Sequence, residues 1–75
     1  MSLGTELRKA RLAAGLTQEK VALKADLDRS YLSELERDES SPTVFTLKRI
    51  CRVIGVRASE LLRADEKADA RAPRR

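Results

Sequence analysis

Few kinds of chemistry are open to this sequence. It has no His and a single Cys, Cys51, among 75 residues. A His-dependent catalytic triad is impossible, an internal disulfide has no second thiol, and clustered Cys or His ligands for zinc do not exist. No pocket-forming catalytic set is visible, so no enzyme is expected, and no cofactor or small-molecule ligand is implied. Polar recognition remains. Arg29, Ser30, Ser33 and Glu34 face outward if Leu32 and Leu35 face inward. Arg37, Ser40 and Ser41 follow in a polar stretch closed by Pro42, with Thr43 just after it.

These side chains need rigid elements behind them, and the apolar spacing supplies helices. Leu3, Leu7, Ala10 and Ala14 form one stripe, and Gly15 offers the left-handed conformation that commonly ends a helix. Thr17 is an N-cap candidate for a second helix of about eight residues, with Val21, Ala22 and Ala25 on its apolar face. After a break at Asp26-Leu27-Asp28, Asp28 is the cap candidate for a third helix carrying Tyr31, Leu32 and Leu35. Thr43 can cap a fourth, in which Val44, Leu47, Ile50, Cys51 and Ile54 share a face and Gly55 ends the run. Cys51 is read as a small core residue. Val56 to Leu62 makes a short fifth helix.

The expected architecture is all-α: one domain over 1–62, then a charged tail over 63–75 that is either a frayed helix or disordered. A β-sandwich or barrel is excluded by only three Gly, two Pro and two aromatic residues. No apolar run approaches a membrane span, and no signal-peptide layout opens the chain, so a cytoplasmic location is expected. The net charge of +4 weakly favours an anionic partner. It divides evenly, with 11 Lys/Arg against 9 Asp/Glu in residues 1–62 and five against three in the tail.

The run Gly15-Leu16-Thr17-Gln18-Glu19-Lys20-Val21-Ala22, followed by Ser30-Tyr31-Leu32-Ser33-Glu34-Leu35-Glu36-Arg37, resembles the helix-turn-helix of the Cro and phage-repressor type. Pro42-Thr43 through Glu60-Leu61-Leu62 is similar to that family's fourth and fifth helices, so the likeness covers about residues 3–62. Within the family, Leu-Asp-Arg-Ser-Tyr-Leu-Ser is most similar to restriction–modification controller proteins. The resemblance implies a compact five-helix domain and a dimeric transcriptional regulator that occupies an operator in double-stranded DNA. Two positions depart from the family's usual Gly, namely Asp26 in the turn and Asp38 after the third helix. Both are expected to need positive φ, which Asp tolerates better than most residues. Residues 26–39 carry six acids and two Arg, so an acidic reading surface is expected.

The resemblance also implies residue roles, each beside a plainer one. Arg29, Ser30, Ser33 and Glu34 match base-reading positions; Arg29 suits guanine and Glu34 a cytosine amino group, or all four are ordinary surface. Thr17 and Gln18 match phosphate contacts at a helix N-terminus, or serve as a cap and a solvated polar residue. Tyr31 either reaches the DNA backbone or packs as a half-buried ring. Arg37, Ser40, Ser41 and Thr43 lie in a second phosphate-contacting zone, where Thr43 is also a cap. Arg11 and Glu36 match an ion pair joining helices one and three, or are independent charges. Phe45, Val53 and Leu23 miss the core faces, and the family's pairing region makes Phe45, Val53 and Leu62 candidates for a two-fold contact. The rival reading is a protein-interaction module, an antitoxin or adapter with the same fold.

Overall fold

A computed structural model describes residues 2–68 of the chain. The part of the charged tail over 69–75 lies outside the described residues. Five helices follow one another: α1 (Leu3–Ala13), α2 (Gln18–Ala25), α3 (Arg29–Glu36), α4 (Val44–Ile54) and α5 (Ala58–Ala68). No strand occurs among the described residues. Helix α5 starts two residues later than the sequence suggests and continues across the 62/63 boundary.

Side-chain caps open three helices. The Thr17 hydroxyl accepts the Lys20 N–H at 3.0 Å and the Thr43 hydroxyl accepts the Thr46 N–H at 3.1 Å. Ser2, not foreseen as a cap, accepts the Thr5 N–H at 3.2 Å and so starts α1. Asp28 occupies the cap position of α3 with extended backbone but makes no capping hydrogen bond, contrary to expectation.

Four of the helices end in the same way. Gly15, Asp26, Asp38 and Gly55 have φ of 73°, 60°, 61° and 92°. The following residue then sends its N–H back to a carbonyl five residues earlier: Leu16 to Arg11, Leu27 to Ala22, Glu39 to Glu34 and Val56 to Cys51. This closure satisfies a carbonyl the helix cannot pair and reverses the chain. Leu16, Leu27 and Val56 are thereby laid against the core, whereas Glu39 is exposed.

The core is one cluster drawn from all five helices. Leu7, Val21, Ala22, Ala25, Leu32, Leu35, Leu47, Ile50, Cys51, Ile54 and Leu61 are buried. Helix α2 packs on α3 and α4, while α1 packs on α3 and α5. Fully burying a Leu or Ile contributes about 1.5–3 kcal/mol, so this cluster dominates the stabilisation. Burial pushes the Cys51 thiol up from its usual range, with the Glu60 carboxylate adding to the shift; the residue fills space. Three details differ from the helical stripes. Ala14 is exposed where the chain turns, and Val44 is exposed in the first turn of α4. Val53, expected off the core, is half-buried against it.

Candidate DNA-reading surface

Helix α3 presents two unlike faces. Leu32, Leu35 and Glu36 point inward, and Tyr31 lays a half-buried ring on the core. Arg29 and Ser30 are exposed, while Ser33 and Glu34 are partly so. Arg29, Ser30, Ser33, Glu34 and Arg37 together line a shallow cavity of about 300 Å³. A second hollow, about 590 Å³, runs along Gly15–Glu19 and also reaches Arg29. Arg29 lines both, so it stands between the first turn of α2 and the outer face of α3. The N–H groups of Gln18 and Glu19, in that first turn, have no partner inside the helix.

The helix is held at both ends. Its last residue, Glu36, is clamped by Arg11 of α1 in a bidentate pair, Nε to Oε2 at 2.6 Å and Nη2 to Oε1 at 3.0 Å. The side chains are 8% and 2% exposed. A third guanidinium nitrogen donates to the Leu16 carbonyl at 2.8 Å. Gln18 donates its side-chain amide to the same Glu36 carboxylate at 3.0 Å. One buried network thus joins α1, the turn after it, the start of α2 and the end of α3. Burying two charges is costly unless every donor and acceptor finds a partner; here the fork, the amide and a carbonyl provide them.

Other anchors were not foreseen. Arg49 of α4 donates to the Ala25 and Asp26 carbonyls at 2.5 and 3.2 Å, fixing the turn that precedes α3. Asp38 turns back to α1, where its carboxylate accepts the Gly4 N–H at 3.0 Å and the Ser2 hydroxyl. Gly4 permits this approach, since a Cβ there would lie 2.5 Å from the Leu35 carbonyl and 2.8 Å from that of Glu36. These contacts join residues 23 to 36 positions apart, and no local pattern signals them.

Five of the six acids of residues 26–39 are engaged by other groups and Asp28 is exposed, so they do not form a uniform acidic face, which narrows the expectation from composition. Glu36 is buried on Arg11, and Asp38 serves α1. Glu39 pairs with Arg37 at 2.9 and 3.0 Å, and Asp26 lies 3.6 Å from Arg49. Glu34 accepts the Ser40 hydroxyl at 3.0 Å. Arg37 also donates to the Ser33 hydroxyl. Arg29 alone among the outward Arg of α3 and its end has no carboxylate within salt-bridge distance among the described residues. Ser41 and Thr43 are exposed, Thr43 being the α4 cap.

Comparison with known proteins places the arrangement. The helix-turn-helix family matches the chain over residues 7–61. The chain belongs to this family. An immunity repressor of Bacillus phage phi105 is 36% identical over 62 residues, covering 83% of this chain and 43% of the repressor. The chain thus spans less than half of that relative's length. The solved restriction-modification controller protein C.AhdI from Aeromonas hydrophila superposes with a TM-score of 0.76 at 32% identity, over 79% of this chain and 89% of that one. SinR, the Bacillus subtilis master regulator for biofilm formation, solved in complex with DNA, gives 0.76 at 30% identity over 80% and 97%. The helix-turn-helix is α2 and α3, and the family's fold of five helices without strands is the one described above. No helix among the described residues is long and apolar enough to cross a membrane.

Proposed function

We propose that the chain is a sequence-specific transcriptional regulator that binds double-stranded DNA as a homodimer and acts by occupying its operator. One observation carries this reading: the outer face of α3 is an uncapped, cation-led polar surface on a helix locked at both ends. The phosphate backbone runs over the first turn of α2, where helix N–H groups meet it, and over Ser40, Ser41 and Thr43. Arg29 enters the major groove with Ser30, Ser33 and Glu34. Gln18 gives one amide N–H to Glu36, which leaves its second amide N–H and its backbone N–H for a phosphate. Its membership of a family of regulators supports a binding role in the cytoplasm rather than catalysis.

Sites selected from a random DNA pool test this directly: a palindromic consensus is expected, with half-sites about 10 base pairs apart. Arg29→Ala should then cost about 1–3 kcal/mol at one symmetric base position and relax preference there. Equal loss on every base-pair variant would reassign Arg29 to the backbone. Failure to enrich any sequence would overturn the reading.

A further inference from the structure

Three of the four left-handed helix ends place an apolar side chain on the core, through Leu16, Leu27 and Val56. The fourth places Glu39 in the equivalent position, held by its N–H to the Glu34 carbonyl at 2.8 Å. Its carboxylate is thereby delivered to Arg37, two residues earlier, and takes both nitrogens of one edge of the guanidinium, at 2.9 and 3.0 Å. The remaining nitrogen goes to the Ser33 hydroxyl on the α3 surface. Both ions are more than half exposed, so water screens the pair and burial cannot account for it. A carboxylate facing a guanidinium edge has the geometry with which a phosphate diester engages the same fork.

We infer that Glu39 is an internal competitor for DNA phosphate at Arg37, setting the sequence-independent part of the affinity. This rests on the DNA-binding reading above. While the pair is closed, Arg37 adds no net attraction to a duplex. A bound phosphate must displace the Glu39 carboxylate, so the gain from that contact is reduced by the pairing it replaces. The mutual stabilisation of the pair is visible in both partners: Glu39 holds the Arg37 pKa up, and Arg37 holds that of Glu39 down.

The test measures binding of the full chain to a selected site and to a random-sequence duplex of equal length across a salt series. Glu39→Gln keeps the backbone closure and the size of the side chain. It should tighten binding to both duplexes about two- to five-fold at low salt, the range an exposed ion pair spans. The salt slope should steepen by about 0.9, one more phosphate neutralised. In an Arg37→Ala background the same change should produce a much smaller gain. Unchanged affinity and slope in Glu39→Gln would overturn the inference while leaving the DNA-binding reading intact. An equal gain in the Arg37→Ala background would also overturn it, since it would reflect loss of a negative charge rather than release of Arg37. If neither wild type nor variant binds either duplex, the DNA-binding reading falls and the inference with it.

Discussion

Arg11 ties α1 to the C-terminal end of α3 through Glu36. It is 8% exposed, its partner Glu36 is 2% exposed, and the pair is bidentate. Removing one member leaves the other as an uncompensated buried charge. Arg11→Ala should therefore destabilise the domain by about 3–5 kcal/mol, read as a lower denaturant midpoint with an unchanged slope. Arg11→Lys should recover only part of this, because an ammonium cannot fill the fork that meets both carboxylate oxygens and the Leu16 carbonyl. A loss under about 1 kcal/mol for Arg11→Ala would mean that water replaces the guanidinium, as at a surface pair. The network also orients the amide of Gln18, which is legible in sequence only as a polar first-turn residue.

At the scale of elements, Asp26 and Asp38 look interchangeable in sequence and are not. Both hold φ near 60° at a helix end, a conformation that costs an L residue energy and Gly almost none. The Asp26 side chain is 98% exposed and lies 3.6 Å from Arg49. Asp26→Gly should thus be neutral or stabilising by up to about 1 kcal/mol, relief of the left-handed backbone outweighing an exposed ion pair. Asp38 instead supplies a remote cap to α1 through the Gly4 N–H and the Ser2 hydroxyl. Asp38→Gly removes that cap and should cost about 1 kcal/mol. Thermal melts of the two variants side by side separate the cases; shifts of the same sign and size would show that backbone strain alone governs both positions.

At the scale of the whole molecule, the proposed function calls for pairing, since an eight-residue helix such as α3 reaches few base pairs and a dimer doubles the site. We propose that the two-fold contact of such a dimer lies on the exposed apolar groups of α4 and α5. Phe45 is 82% exposed and Leu62 42%. Val53 contributes less than the sequence suggests because part of it packs on the core. Phe45→Asp should shift sedimentation toward the monomer and weaken binding to a palindromic site far more than to one half-site, while leaving the melting profile of the monomer near that of wild type. A dimer of unchanged strength in Phe45→Asp would move the contact elsewhere.

Much of this molecule is determined locally, and its sequence is explicit there. Thr17 and Thr43 cap because a hydroxyl one residue before a helix meets a free N–H; Gly15 and Gly55 end helices because they carry no Cβ. The spacing of Leu32 and Leu35 inward already puts Arg29 and Ser30 outward, so the candidate reading face was legible once the helix was. Contacts across the bundle are different. Whether Glu34, Glu36, Asp38 and Glu39 make an acidic surface depends on Arg11, Gly4, Ser40 and Arg37, and composition carries no information about distance. The Arg49 clamp and the Gly4–Asp38 approach exist only after α4 packs on α2 and α1 packs on α3. Local rules set where helices begin, end and show polar groups, because those energies come from neighbours in the chain. Which charges are neutralised and which stay unpaired is decided by packing, because electrostatic pairing depends on separation in space and on exclusion of water.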